Sequence, residues 1–317
     1  RHRQSLWKRW LMMAGAVLIL LVRPAGRLEI TFLDVGQGDC IYVELPGKEK
    51  FLVDGGSSSV GSVGKYRILP FLKAKGVRYL EAVFVTHPDE DHCNGIQELL
   101  SMGKQQGIRI GCLILPDIGE SSKGQGYREL EKAASEADIS LQYISRGQYI
   151  QGKGALLECL HPASGFESTD ANAYSIALRL TSGSFTALLT GDLEGTGEQA
   201  LLEELSARRE ISENRGADSM AGGLADNMAG GPAGITLLKV AHHGSKNSTS
   251  EEFLQMIDPA IAVISCGKNN RYGHPHEETL ERLSEADISW FCTKDYGAIT
   301  VSVDAKGRVA VKGYRKP

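Results

Sequence analysis

The stretch THPDEDH (residues 86–92) decides how the sequence is interpreted. It directly follows the apolar run EAVFV (81–85) and precedes a segment with helical periodicity that begins near Asn94. Two imidazoles and three carboxylates lie within six residues. Carboxylates this close together repel one another unless a cation binds between them. A solvated acidic turn is the plain alternative for this loop taken alone. The stretch predicts a ligand-binding loop at the carboxyl end of a strand.

Three further apolar runs are followed by an aspartate or by histidines. They are KFLV followed by Asp54, SFTALLT followed by Gly191 and Asp192, and ITLLKVA followed by His242 and His243. A single residue of this kind is more often a helix cap or a turn residue. Four strand ends that carry His or Asp instead predict a metal site, because metal ligands must converge from separate segments of the chain.

Composition indicates a folded chain and excludes several classes of protein. The 317 residues are 42% hydrophobic and 23% charged, which excludes a mostly disordered or fibrous chain. Six cysteines without a CxxC pair argue against a disulfide scaffold and against zinc-finger-type sites. The 29 basic and 39 acidic residues of segment 28–317 give it a formal charge of −10. A body this acidic binds DNA poorly without a local site or a partner.

Residues 1–27 are predicted to anchor the chain in a membrane. They hold six basic groups and no acidic group, and the apolar run WLMMAGAVLILLV (10–22) follows the first basic cluster. This arrangement fits a membrane span or signal anchor, with a buried core helix as the alternative. The positive-inside tendency places residues 1–9 in the cytoplasm. We therefore expect the chain at the cell membrane, with the body on the extracellular side.

Short apolar runs alternate with helical patterns through the body, residues 28–317. The strand patterns cluster at the start and pair in the middle, which predicts two mixed sheets with helices outside and not a doubly wound sheet. The hexapeptide SEADIS occurs at 135–140 and again at 284–289, each time between a helical pattern and a strand. Both coincidence and internal duplication of the chain would explain this repeated hexapeptide. Residues 214–234 are rich in Gly, Ala, Asp and Met and are predicted to form a flexible insertion loop.

Taken in order, the motifs resemble the metallo-β-lactamase fold, and specifically the nuclease-like domain of the ComEC family of competence membrane proteins. The matching stretches are FLDVGQGD (32–39), LVDGG (52–56), THPDEDH (86–92), LLTGD (188–192), LKVAHHGS (238–245) and NRYGHP (270–275). LDVGQGD together with KVAHHGS is specific, whereas HxxxDH alone marks only the broad superfamily. The resemblance implies an α/β (α+β) fold, a four-layer αβ/βα sandwich that follows one apolar transmembrane segment.

The resemblance also implies a site for two divalent metal ions. The implied ligands are His87 and Asp89 for one ion, Asp91 and His92 for the other, Asp192 as a bridge and His242 as the remaining ligand. Asp89 stands where the broad superfamily has a second histidine. At the place of the superfamily's next histidine, residues 172–175 (NAYS) resemble the family's NNxS, with Asn172 matching and Ala173 departing, and this departure leaves the shell of the first metal open. Oxygen ligands at these places favour Mn²⁺, with Zn²⁺ as the alternative. No nucleotide cofactor is expected.

The reaction that the resemblance implies is two-metal hydrolysis of a phosphodiester. The residues assigned to catalysis are Asp91, His243, His274 and Lys239, and the outer or undecided residues are Asn172, Asp39, Gln37 and Asp54. His274 is expected to bind the phosphate or protonate the leaving oxygen, or else to be a turn residue before Pro275. Lys239 is expected to neutralise the aspartates or the phosphate, or else to point to solvent.

The function expected first is that of a metal-dependent DNase domain of a DNA-uptake channel. It would degrade the strand that does not enter the cell, with DNA and competence-machinery proteins as partners. The alternative is a membrane-anchored or secreted hydrolase of the same fold that acts on a small ester, lactone, β-lactam or phosphodiester. A domain that only binds or gates DNA is a third possibility, but such a domain has no need for the histidines and aspartates of the site.

Overall fold

A computed structural model describes residues 26–214 and 234–316 of the protein. The predicted anchor segment, apart from residues 26 and 27, lies outside the described residues. So does the predicted insertion loop, apart from its two end residues. None of the helices in the two described stretches is both long enough and apolar enough to cross a bilayer.

Most of the described residues belong to strands and helices. The strands are β1 (Leu28–Phe32), β2 (Ile41–Glu44), β3 (Lys50–Val53), β4 (Tyr79–Leu80), β5 (Ala82–Phe84), β6 (Arg109–Ile110), β7 (Cys112–Pro116), β8 (Ser140–Ile144), β9 (Tyr149–Gly152), β10 (Ala155–His161), β11 (Ala177–Ser182), β12 (Phe185–Leu189), β13 (Leu237–Lys239), β14 (Ile261–Ile264), β15 (Ser289–Cys292), β16 (Ile299–Val303) and β17 (Val309–Gly313). The helices are α1 (Leu69–Ala74), α2 (Glu90–Met102), α3 (Gln125–Glu136), α4 (Thr196–Asn214), α5 (Glu251–Ile257), α6 (Glu277–Glu285) and α7 (Thr293–Tyr296).

The strands form two large mixed sheets, as the sequence predicts. The first sheet has the order β17-β16-β1-β2-β3-β5-β7-β8 and is antiparallel up to β3 and parallel beyond it. The second has the order β15-β14-β13-β12-β11-β10-β9 and is parallel up to β12 and antiparallel beyond it. The short strands β4 and β6 pair separately. The last two strands of the chain therefore complete the sheet that the first strands began.

Apolar packing arranges these elements as helix, sheet, sheet and helix. Along β3, Phe51 belongs to the cluster between the two sheets, and its neighbour Leu52 belongs to the cluster under α1, α2 and α3. Along β12, Leu189 faces the other sheet, and Leu188 packs under α4, α5 and α6. Because both faces of these strands are covered, their sequences are mostly apolar and do not alternate regularly with polar residues. The result is a mixed α/β sandwich of four layers.

The two copies of SEADIS form the same kind of turn. Helix α3 ends at Glu136 and α6 ends at Glu285, and each is followed by an aspartate of positive φ, Asp138 at 57° and Asp287 at 54°. The same three backbone hydrogen bonds close both turns. Each copy then leads into the outermost parallel strand of its sheet, β8 or β15. The two copies therefore occupy equivalent places, which favours duplication over coincidence.

Candidate metal centre

The predicted site residues come together where strands of both sheets end. The contributors are His87 after β5, Asp91 and His92 in the first turn of α2, Asp192 after β12, and His242 and His243 in the turn after β13. Strands β5, β12 and β13 each have a parallel neighbour, and loops at the carboxyl ends of parallel strands are where ligand sites form in such sheets. The fold therefore gathers side chains that are up to 156 positions apart in the sequence, from His87 to His243.

Three buried imidazoles gather at this point. The ring centroids of His87 and His92 are 4.1 Å apart, and those of His92 and His243 are 5.2 Å apart. The Nε2 atom of each ring is buried and makes no hydrogen bond of good geometry within the described residues. A buried polar atom without a partner is costly, so a native structure usually supplies something that binds it. Three such atoms together indicate a cation site.

The other ring nitrogen is held by an outer group, which leaves Nε2 free. Nδ1 of His243 donates to the carbonyl oxygen of Ser265 at 2.8 Å. Nδ1 of His92 donates to the Asp54 carboxylate at 2.9 Å. Outer partners of this kind fix the tautomer and the orientation of metal-binding imidazoles. Ser265 is a positioning residue that the sequence motifs did not indicate.

Asp54 connects two of the histidines through the end of β5. Its carboxylate accepts hydrogen bonds from the backbone N and the Oγ1 of Thr86, at 2.7 and 2.8 Å. Because the Thr86 hydroxyl proton goes to Asp54, its oxygen accepts from Nδ1 of His87, 3.1 Å away. Burial raises the pKa of the Asp54 carboxyl, although His92 opposes this. Asp54 therefore orients His92 directly and His87 through Thr86.

The carboxylate of Asp192 lies between the imidazoles. Its Oδ2 is 3.1 Å from Nε2 of His92 and 3.2 Å from Nε2 of His243. Oδ2 of Asp91 lies 3.4 Å from the same His243 nitrogen. Two ligands of one tetrahedral ion, each about 2.1 Å from it, are about 3.4 Å apart. Ligand atoms of Asp39, His92, Asp192 and His243 lie within 4.8 Å of one another. The residues present therefore fit a divalent metal.

Burial and nearby charge set the protonation of these groups. Burial, together with the neighbouring His92, holds the pKa of His87 well below its usual value. Burial also opposes charge on His92 and His243, but Asp192 raises both pKa values, that of His243 to about 10. Burial raises the pKa of Asp192, but the two histidines outweigh it and hold that pKa well below its usual value. A metal bound here would therefore have to displace protons from His92 and His243.

Lys239 is fully buried on β13 and lies behind the carboxylates. Its Nζ contacts the Asp39 carboxylate, donates to the Gly191 carbonyl at 2.7 Å and lies 3.4 Å from Oδ1 of Asp192. Burial alone would lower the pKa of Lys239. The carboxylates of Asp39 and Asp192 outweigh this effect and raise the pKa above its usual value, so the ammonium group stays charged. This placement excludes the alternative in which Lys239 points to solvent.

His242 takes a different place from its neighbour His243. Its Nδ1 is 2.7 Å from Oε2 of Glu194, its Nε2 is 3.8 Å from Oδ2 of Asp192, and its side chain is 25% exposed. Both histidines have positive φ, 47° and 55°, in the tight turn that follows β13. The distances favour His243 over His242 as the ligand, which is the reverse of the assignment that the family resemblance implies. The ligand roles themselves stay predictions.

Asp89 and Asn172, the two departures from the superfamily pattern, lie at the edge of the cluster. Asp89 precedes α2 with its side chain 52% exposed, and its Oδ2 is 3.7 Å from Nε2 of His87. Asn172 donates to Oε1 of Glu194 at 3.1 Å and so supports the carboxylate that holds His242. Sequence reasoning missed Glu194, although it follows two residues after the aspartate of LLTGD and is the next acidic residue of that loop.

Gln37 and His274 lie on the outer side of the cluster. Oε1 of Gln37 accepts from the backbone N of Gly267 at 3.2 Å, and its Nε2 is 3.5 Å from Nδ1 of His274. Burial, with the positive charge of His243 nearby, lowers the pKa of His274 to about 4. His274 is therefore neutral near pH 7 and offers a hydrogen bond more readily than a proton.

The sequence is similar to one protein superfamily and to several proteins with names from competence. Residues 33–108 match the profile of the metallo-beta-lactamase superfamily. ComE operon protein 3 of Bacillus subtilis (strain 168) is 32% identical over 309 residues, which cover 91% of this chain and 36% of that protein. Competence protein ComA of Neisseria gonorrhoeae is 28% identical over 292 residues, which cover 92% of this chain and 34% of that protein. The chain thus spans about a third of the length of these relatives.

A solved structure agrees with the fold. The metallo-beta-lactamase fold protein YhfI of Bacillus subtilis superposes with a TM-score of 0.50 at 12% identity, over 86% of this chain and 98% of that one. At this level of identity the likeness shows the fold alone. Together with the superfamily profile, it identifies the architecture as a metallo-β-lactamase sandwich.

Proposed function

We propose, on the premise that the chain carries a metallo-β-lactamase-fold domain of the ComEC competence family, that its metal centre hydrolyses phosphodiester bonds in DNA. The observation that carries this proposal is the convergence of the buried, unbonded Nε2 atoms of His87, His92 and His243 beside the carboxylates of Asp91 and Asp192. The relative named as a competence protein supports DNA as the substrate.

The proposed centre would hold two divalent cations. The residues that would hold them are His87 and Asp89 on one side, Asp91, His92 and His243 on the other, and Asp192, which lies between these groups. Bound cations of this kind supply an activated water and neutralise charge on the phosphate oxygens. The carboxylates favour Mn²⁺, whereas the three imidazoles also suit Zn²⁺, and we propose Mn²⁺ as the activating ion.

Side chains around the cluster have separate roles in this proposal. Lys239 holds the carboxylates of Asp39 and Asp192 in place and offsets their charge. His242 contacts Glu194 and is partly exposed, so we assign it the role of a general acid that donates a proton to the leaving oxygen. His274 is neutral and is assigned a hydrogen bond to the substrate.

We extend the proposal to the place of the domain in the cell. The basic and apolar character of residues 1–27 supports a membrane anchor with the catalytic body on the extracellular side. In that position the domain would degrade the DNA strand that is not transported, beside other proteins of the uptake machinery. The body's formal charge of −10 supports delivery of DNA by such a partner or by a local site.

The test exposes the metal-free full chain to labelled single-stranded DNA and to the β-lactam nitrocefin, with Mn²⁺ or Zn²⁺ added in turn. We expect cleavage of DNA with either ion, a faster reaction with Mn²⁺, and no turnover of nitrocefin. Turnover of nitrocefin without cleavage of DNA would support the alternative hydrolase and contradict a nuclease. A faster reaction with Zn²⁺ would reject only the choice of metal.

A further inference from the structure

The loop of residues 267–276, called here the platform loop, carries aromatic and basic side chains beside the metal centre. Its sequence GKNNRYGHPH contains the basic residues Lys268 and Arg271 and no acidic residue, in contrast to the acidic body. His274 of this loop is buried, and its ring centroid lies 6.0 Å from that of His243. The loop therefore leads from a candidate ligand towards the surface.

Tyr272 extends this row of rings outward. Its ring stacks on that of His274, with 5.7 Å between the centroids and 21° between the planes. Tyr272 is nevertheless 42% exposed. The guanidinium group of Arg271 lies over the Tyr272 ring, 4.9 Å from its centroid, and its Nη2 donates to the Tyr272 hydroxyl at 2.7 Å, so a base would stack on the tyrosine and the guanidinium together. An exposed ring beside an exposed guanidinium group combines a stacking surface with a charge that binds phosphate.

Asn270 holds the platform loop in this shape. Its side-chain amide donates to the carbonyl oxygens of Gly267 and His274, at 2.9 and 2.7 Å, and its Oδ1 accepts from the backbone N of His274 at 2.9 Å. The loop is also joined to Gln37 through the backbone N of Gly267. Because the backbone is fixed on both sides of Tyr272, little ordering of the loop is needed when a ligand binds.

We propose that Tyr272 and Arg271 form a subsite for an unpaired nucleobase and its phosphate, next to the bond that is hydrolysed. This inference deepens the proposed function and rests on it. Tyr272 is two ring contacts from His243, and nucleotides along one strand of DNA rise about 3.4 Å each. A base on Tyr272 thus belongs to a nucleotide close to the cleaved bond. Bases within a duplex do not expose their faces, so the subsite selects single strands without sequence preference.

The test compares oligo(dT) with a strand of the same length made of abasic deoxyribose phosphates, which keeps the charge and lacks the bases. With Mn²⁺, the wild type is expected to cleave oligo(dT) with a kcat/KM at least about fivefold higher, the lower end of what one base stack contributes. Tyr272→Ala should remove this preference, whereas Tyr272→Phe should keep most of it. Tyr149→Ala is the matched control, because Tyr149 is 50% exposed on the edge strand β9.

The outcomes separate the subsite from the proposed function. Equal cleavage of both strands by the wild type would overturn the subsite and leave the hydrolysis intact. A preference for oligo(dT) that persists in Tyr272→Ala would also overturn it, because the base would then bind elsewhere. Cleavage of neither strand by the wild type would contradict the proposed function itself. Thermal melting of each variant establishes that it is folded.

A second, independent observation concerns the thiols of Cys266 and Cys292. Cys292 is the last residue of β15, and Cys266 follows the neighbouring parallel strand β14. Both side chains are fully buried, and their Sγ atoms are 3.2 Å apart. Oγ1 of Thr293 accepts from the backbone N of Cys266 at 3.0 Å and lies 3.1 Å from its carbonyl oxygen. The two chain segments are therefore already fixed side by side.

We infer that Cys266 and Cys292 form a disulfide when the chain folds in the presence of oxidised glutathione. One thiolate attacks the glutathione disulfide and releases one glutathione thiolate, and the second then attacks the mixed disulfide and releases the other. Two cysteine thiols thereby lose two protons and two electrons, and oxidised glutathione becomes two thiols. An S–S bond is about 2.05 Å long, so the sulfurs approach by about 1 Å. The bond would fix the strand end at Ser265, whose carbonyl oxygen orients His243.

The test refolds the reduced full chain in a glutathione redox buffer, because buried thiols are reached only during folding. After denaturation and alkylation, we expect four of the six thiols to remain free and one disulfide to join the peptides of Cys266 and Cys292. Cys266→Ser should keep all five of its thiols free. Six free thiols in the refolded wild type, or a disulfide between other cysteines, would overturn the inference.

Discussion

Asp192→Asn is expected to abolish metal-dependent cleavage of DNA while the chain stays folded. The substitution keeps the size of the side chain but removes the negative charge whose Oδ2 lies 3.1 and 3.2 Å from Nε2 of His92 and His243. Loss of an outer partner of a metal typically lowers metal affinity or activity by about 10- to 100-fold, and loss of a bridging ligand should exceed this. The measurements are the rate of cleavage with Mn²⁺ and the number of ions bound by calorimetric titration.

Asp117→Asn is the matched control for this variant. Asp117 also follows a parallel strand, β7, but its carboxylate accepts from the hydroxyl of Ser164 at 2.6 Å and not from the cluster. We expect this control to keep its activity and its bound ions. If Asp192→Asn cleaves DNA at the wild-type rate with the wild-type number of ions, the assignment of Asp192 as the bridge is wrong.

Lys239→Met is expected to destabilise the metal-free protein strongly and the metal-loaded protein much less. The ammonium group is fully buried against the carboxylates of Asp39 and Asp192, and its removal leaves buried negative charge without compensation. Breaking a buried pair in this way costs about 3–5 kcal/mol. For a domain of this size that cost lowers Tm on the order of 10 °C. Divalent cations beside Asp192 restore positive charge, so Mn²⁺ should raise the Tm of the variant more than that of the wild type.

Two comparisons isolate this effect. Lys73→Met alters an exposed lysine whose Nζ donates to Gln106 on the surface, so the Tm of this variant should change little. Asp39→Asn added to Lys239→Met removes one of the uncompensated carboxylates and should recover part of the lost stability. Two results would show that the ammonium group does not offset the charge of the aspartates. One is a metal-free Lys239→Met protein with the Tm of the wild type, and the other is a variant whose Tm rises with Mn²⁺ no more than that of the wild type.

Much of the fold could be predicted from local pattern. Strands that are covered on both faces leave an apolar signal in the sequence, and most of the observed strands lie on such runs. The family resemblance is confirmed by the superfamily profile and by the competence relatives. Strand β9 (Tyr149–Gly152) was not predicted, because it lies at a sheet edge and its residues are mostly at least partly exposed. Its hydrogen bonds to β10 hold it in place without an apolar run.

The sequence by itself determined which residue types stand at the ends of the strands, and therefore that His87, His92 and Asp192 meet near one edge of the sheets. Only the tertiary structure decided which of the adjacent histidines His242 and His243 turns inward. The spacing of a motif fixes the order of residues, but the direction of each side chain follows from backbone dihedrals and from partners that lie far away in the sequence. The carbonyl of Ser265 aims one ring at the cluster, and Glu194 holds the other at its edge.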